Sequence, residues 1–285
     1  MDEFSVVLKA REFMRAAATT DVPPITAYLA HLGSRLHIED DMEDGEDGSS
    51  FERNGRHHIC VNSKQAPERR NFTICHEIAH RILGLPSEHG HGPSWSYARK
   101  SPNEILCDVF AAEILLPYPQ FKPLVEKSAI GFAAVNKLAE KFAASLPATA
   151  SRFATVVSTP CAYVLMEGGI VRYMARSTAL RSAGAWISPG TAAPPQSLAA
   201  KLRAGAPYQG DAEIAADIWF DNWTRGGVLV EDAHHNQAWD QTLSLLWFED
   251  EEVPVTYETH RAEEEDVGLR ELDGVLPWPD RSKRR

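Results

Sequence analysis

A chain of 285 residues with 44% hydrophobic and 24% charged content has room for a real core and the balance of a soluble globular protein, in one large domain or two to three small ones. Its formal net charge of -11 argues against a broad nucleic-acid surface, which needs concentrated Lys and Arg, and leaves room for at most one small basic patch. The acidic start MDEFSVVLKAREF lacks a signal-peptide core, and no run approaches the roughly 20 apolar residues of a membrane span. The four cysteines, Cys60, Cys75, Cys107 and Cys161, form no C-x-x-C pair. They read as buried free thiols in a reducing compartment, so the expected location is cytoplasmic.

In chain order, Phe4, Val7, Leu8, Met14 and Ala17 recur at helical spacing and predict a helix over 4–18. Pro23 and Pro24 open a second helix that Gly33 can close. Arg35 to Glu39 alternates like a short strand. EDDMEDGEDGSS, residues 39–50, reads as an acidic solvated loop, because it lacks the ligand order and closing Glu of a calcium loop. RHHICVN, residues 56–62, reads as a strand. Pro67 then opens a helix that contains CHEIAHRIL and ends at Gly84. A Gly/His/Ser loop, PSEHGHGPSWS, leads to a helix from Ser101-Pro102 to Leu116, stopped by Pro117. The first 120 residues therefore read as a compact α+β unit. Residues 120–158 read as all-helical, a short helix, a turn and a short helix. From Cys161 the pattern alternates: CAYVLMEGGIVRYMAR is a hairpin turning at Gly168-Gly169, and GVLVED and LSLLWFED are further strands. His234 and His235 read as solvated, and the charged, proline-containing end as a frayed tail.

The chemistry lies in CHEIAHRIL. On a helix, residues four apart share a face with Cβ atoms about 6 Å apart, so His76 and His80 can both reach one Zn²⁺ at ~2.0–2.1 Å. Glu77 is rotated off that axis and suits a general base acting on metal-activated water. A chance H-E-x-x-H is the rival reading. Context favours the metal, since the motif sits in a predicted helix with its own apolar stripe, Ile74, Ile78 and Ile82.

A tetrahedral catalytic site wants a third protein ligand and one open position. Candidates are Glu88, His89, His91, Glu104, Asp108 and Glu113. The metzincin spacing fails, because Leu83 and Pro86 stand where Gly and His would be needed. His89 and His91 lie in a glycine-rich loop, a poor place for a preorganised ligand. Glu104 and Asp108 share a face of the next helix, so one could bind metal while the other orients a ligand histidine. Ser101-Pro102-Asn103-Glu104 is equally a capping box, with Glu104 folded back onto its own helix start. Glu113 is about half a turn out of phase and faces elsewhere.

ICVNSKQAPERRNFTICHEIAHRILG followed by NEILCDVFAAEILLP resembles the ImmA/IrrE-type metallopeptidases. Their pattern is a strand ending in Asn, a basic turn, F-T-x-x-H-E-x-x-H, and then E-x-x-x-[ND]-x-F/G-A-x-x-L-L-x-P. The resemblance covers roughly residues 1–120. It implies that His76, His80 and Glu104 hold the metal, which resolves the capping-box alternative, that Glu77 is the general base, and that Asp108 is a supporting residue behind a ligand. Cys75 stands where members often have Ala, and it reads as a small buried thiol. The longer, IrrE-like branch implies a zincin-like, gluzincin-type peptidase domain over 1–122, a helix-turn-helix-like segment over 123–158 and a GAF-like domain over 159–260, and the charged composition of 261–285 reads as a flexible tail. The metal is expected to be Zn²⁺, with Mn²⁺ or Fe²⁺ compatible with the same ligands.

The chemistry so implied is peptide-bond hydrolysis, with a helix-turn-helix repressor cut in a stress or mobile-element response. Tyr97, Arg99, His91 and Tyr163 are candidates to stabilise the oxyanion. The strand ending at Asn62 is the expected edge for an extended substrate. The competing reading is a DNA-binding or sensory regulator on an inactive peptidase-like fold, supported by Lys137 and Lys141 in the helical segment.

Overall fold

The computed structural model describes residues 1–42, 47–86, 101–249 and 253. The expected tail over 261–285 and the loop candidates Glu88, His89, His91, Tyr97 and Arg99 lie outside the described residues.

Helix α1 (Glu3–Ala17) starts where the Asp2 carboxylate accepts the Ser5 N–H at 2.8 Å, and it buries Val6, Val7, Ala10 and Phe13. Helix α2 (Ile25–Leu32) ends at Gly33 in the left-handed conformation. Three strands follow, β1 (Arg35–Glu39), β2 (Gly48–Arg53) and β3 (Arg56–Asn62), in the spatial order β1-β3-β2. Strand β2 begins inside the stretch read from sequence as a loop. It turns back into β3 at Asn54-Gly55, both at positive φ, as a two-residue hairpin requires.

One expectation is corrected here. β3 is the central strand, paired in parallel with β1 and antiparallel with β2. Asn62 lies opposite Glu39, its N–H goes to the Asp47 carbonyl, and its side-chain oxygen accepts the Lys64 N–H. Both edges of β3 are used, so Asn62 cannot present an open edge to a substrate.

Helix α3 (Pro67–Leu83) lies across this sheet, and α4 (Pro102–Leu115) crosses α3 and also contacts α1. Ile74 and Ile78 of α3 are buried, with Ile82 packed at the margin, as the stripe predicts. Helices α5 (Tyr118–Val125), α6 (Phe132–Phe142) and α7 (Leu146–Val156) come next. In chain order α6 and α7 are joined by the short turn 143–145. Thr149, Ala150, Phe153 and Ala154 of α7 are fully buried, and α7 packs against strands of the following sheet. A helix so covered cannot enter a DNA groove.

That sheet has five antiparallel strands: β4 (Cys161–Glu167), β5 (Ile170–Arg176), β6 (Ala212–Ala215), β7 (Val228–Asn236) and β8 (Gln241–Trp247), in the order β5-β4-β8-β7-β6. Three short helices, α8 (Thr178–Ser182), α9 (Leu198–Arg203) and α10 (Ala216–Trp219), fill the connections. Strand alternation splits the sheet between two cores. Cys161, Tyr163, Leu245 and Trp247 join one apolar core that runs back to α1. Ala162, Val164, Met166 and Leu246 face a second core with Leu180, Leu198 and Trp219.

Buried charges link these layers. Glu113 of α4 is 2% exposed and accepts from Arg11 of α1 at 2.9 Å and from Arg152 of α7 at 2.5 Å. As expected, it faces away from the histidines. Asp232 of β7 accepts the Phe132 N–H at 2.7 Å, capping α6 from the distant sheet. Its neighbour Glu231, fully buried, accepts the Leu198 and Ala199 N–H groups at the start of α9, the Trp219 indole N–H and the Ser244 hydroxyl. These carboxylates are buried only because donors surround them.

Removing one member of a buried ion cluster leaves uncompensated charge. Glu113→Ala is expected to lower unfolding stability by about 3–5 kcal/mol in urea titration, against less than about 1 kcal/mol for a surface site.

Candidate metal centre

Helix α3 runs unbroken through the motif, from Pro67 in its first turn to Gly84 at its end. His76 and His80 therefore stack on one face, with ring centroids 4.8 Å apart. Their Nε2 atoms are 3.0 Å apart. The carboxylate of Glu104, from the first turn of α4, meets both: Oε2 lies 2.9 Å from His76 Nε2 and Oε1 lies 3.5 Å from His80 Nε2. The competing capping geometry is only half made. The Ser101 hydroxyl accepts the Glu104 N–H at 3.4 Å, while the Glu104 carboxylate turns to the imidazoles.

The outer nitrogens fix the ring protonation. His80 Nδ1 faces the Leu85 carbonyl at 3.1 Å, and a carbonyl only accepts, so Nδ1 carries the hydrogen. His76 Nδ1 donates in the same way to Asp108 Oδ1 at 2.9 Å. In the neutral rings both Nε2 atoms then point lone pairs inward, at each other and at a carboxylate. One ligand atom from each of the three residues lies within 4.8 Å of the others. This convergence leaves the point between the three groups to a positive charge, either a proton on His76 or a metal cation. The donor set, two imidazoles and a carboxylate with their outer hydrogen bonds in place, fits a divalent ion. Electrostatics point the same way. Burial pulls the His76 pKa down, but the Asp108 and Glu104 carboxylates outweigh it and push it up to about 9. The pocket favours positive charge.

Glu77 stands beside the trio and points to a different neighbour. It is 2% exposed, and its Oε2 accepts the Ser50 hydroxyl of β2 at 2.6 Å. Three contacts fasten β2 along α3. The Asp47 carboxylate, just before β2, accepts from Gln65 and from Arg69. Gly48 packs against Thr73, where an added Cβ would come within 2.4 Å of Thr73 Cγ2. Ser50 reaches Glu77. Arg69, Thr73 and Glu77 are successive i, i+4 positions, so β2 lies along one stripe of α3.

Sequence reasoning named every member of the trio together with Glu77 and Asp108, and the structure brings all five together. It missed Ser50, because the strand that carries it was read as loop. The Asn54-Gly55 turn was the available signal. Tyr163, a candidate for the oxyanion, is corrected: it is 1% exposed, set in the core against Tyr173, and closed to any substrate. All four cysteines are buried and unbridged. Burial raises the thiol pKa of Cys75, and burial with Glu104 and Asp108 nearby pushes Cys107 up to about 12, so neither offers a thiolate.

Comparison with known proteins agrees with this geometry. Residues 29–154 match the Peptidase M78 family, the IrrE N-terminal-like domain. The chain is 34% identical over 106 residues to the radiation response metalloprotease IrrE of Deinococcus radiodurans, a match that covers 36% of this chain and 31% of that protein. The matched part is thus about a third of the relative's length. A solved Mycobacterium tuberculosis transcriptional regulator has a similar fold, with a TM-score of 0.54 and 13% identity over 86% of this chain and 76% of its own. Among the described residues no helix is long and apolar enough to cross a membrane.

Loss of a ligand should show in metal content. Glu104→Ala is expected to drop bound zinc below stoichiometric by elemental analysis after dialysis. Asp108→Ala should weaken binding about 10–100-fold in chelator competition, since it removes only the partner of His76 Nδ1. Full zinc occupancy in Glu104→Ala would return that residue to its capping role.

Proposed function

We propose, from the premise that residues 29–154 belong to the ImmA/IrrE-type family, that this chain is a metal-dependent endopeptidase acting on a protein substrate. The observation that carries the reading is the convergence of three lone-pair donors beside a buried carboxylate that is not one of them. His76, His80 and Glu104 would hold a divalent cation, best matched by Zn²⁺, with Mn²⁺ and Fe²⁺ as competitors for the same ligands. When bound, such an ion acidifies water towards a pKa of about 7 and polarises a carbonyl. Glu77 takes the proton from the attacking water and returns it to the leaving amine. Asp108 holds the His76 ring with its lone pair inward.

Strand β2 replaces β3 as the substrate edge. Among the described strands it pairs with β3 alone, and Ser50 on this strand reaches the proposed base directly. An extended peptide added there would run past Glu77.

The substrate in this reading is a helix-turn-helix repressor, cut in the cytoplasm during a stress response. The radiation response in the relative's name supports the stress setting. Residues 159–260 act as a GAF-like sensor, supported by the five-stranded antiparallel sheet with helices packed on it. Against the DNA-binding alternative stand the burial of α7 and the acidity of the chain, with Glu140 set between the exposed Lys137 and Lys141 of α6.

Zinc-loaded protein incubated with a purified helix-turn-helix repressor that it cuts should yield two fragments by mass spectrometry. Glu77→Gln should keep its zinc and lose cleavage by about 10²–10⁴-fold. Cleavage undiminished in Glu77→Gln would remove it from the role of base.

A further inference from the structure

We propose that Ser50 is a positioning residue for Glu77: its hydroxyl fixes the carboxylate rotamer so that one oxygen is held and the other is left to receive the proton. The inference rests on the peptidase reading above. Glu77 is 2% exposed, so bulk water cannot supply the donor that holds its carboxylate. Ser50 supplies it at 2.6 Å, to Oε2. That assigns Oε1 as the proton acceptor.

The serine is itself held by three anchors. The grip of Arg69 and Gln65 on Asp47 sets the height of β2 along α3. Gly48 sets the spacing, since a side chain there would meet Thr73 and, at 2.9 Å, the Cys60 carbonyl. The antiparallel pairing of Ser50 with Ile59 sets the register. Alternation along the strand then sends Gly48 and Ser50 to the same side, towards α3. A one-residue slip would turn the hydroxyl away and present Ser49 or Phe51 on the wrong face. One strand thus serves both as the proposed substrate edge and as the bracket for the base, so an arriving peptide would pair with an edge that already carries the aligned carboxylate.

The test compares Ser50→Ala and Ser50→Thr, each zinc-loaded, with the wild type. In Ser50→Ala, kcat on the repressor is expected to fall about 10–100-fold, with KM within twofold and zinc stoichiometry unchanged. Ser50→Thr keeps the hydroxyl on a residue suited to strands and should recover most of kcat. Crystal structures of the same zinc-loaded proteins should show Glu77 in one rotamer with Ser or Thr and in several with Ala. Unchanged kcat in Ser50→Ala, a Ser50→Thr variant no better than Ser50→Ala, or a Glu77 side chain unmoved in Ser50→Ala would each overturn the proposal. If the wild type cuts nothing while Glu77 still loosens in Ser50→Ala, the peptidase reading falls and the positioning role stands.

Discussion

The site depends on one constraint: the packing of α4 against α3, which brings the Glu104 carboxylate to the inner nitrogens of His76 and His80. The helical repeat alone places the two imidazoles, because four residues make about one turn. It cannot place the third donor. That takes Cys75, Ile78 and Ala79 on α3, and Cys107, Phe110 and Ala111 on α4, all fully buried in one core. Small residues at Cys75, Ala79, Cys107 and Ala111 leave room for close approach of the helices. The geometry of the trio is therefore a product of apolar packing, and the polar residues only occupy places that the core has set.

The same logic extends outward. The ring of His76 is held by Asp108, that of His80 by a main-chain carbonyl, and Glu77 by a serine from the sheet. Farther away, Glu113 ties α4 to α1 and α7. Asp232 ties the large sheet to α6. The helices over 118–156 are thus a shared layer between the site and the C-terminal sheet. Their apolar residues complete the core that runs back to α1, which is why α7 is hidden.

Much of this was legible in the sequence, and what was not has physical causes. The helices over 3–17, 67–83 and 102–115 follow from periodicity, prolines at their starts and caps at their ends, all local signals. The strands over 35–39 and 56–62 lie where the sequence places them. The face of Glu104 is legible from helical phase, but its choice between cap and cation is a tertiary matter: the residues alone leave it even, and only the family resemblance points to the cation. Strand β2 was hidden because Gly48, Ser49 and Ser50 have low strand propensity and continue an acidic run; their strand state comes from pairing with β3. For the same reason β3 was read as an edge, since strand order is set by long-range pairing that alternation does not encode. The short helices near 180, 200 and 217 and strand β6 have too few residues to carry a period.

The central claim is that two imidazoles and one carboxylate from neighbouring helices grip a single divalent ion. X-ray absorption at the zinc edge on the stoichiometrically loaded protein measures this directly. The account predicts two histidine nitrogens and light oxygen ligands at about 2.0–2.2 Å, with the histidine signal lost in His76→Ala and His80→Ala. A sulfur shell at about 2.3 Å, or a spectrum unchanged by those substitutions, would contradict it.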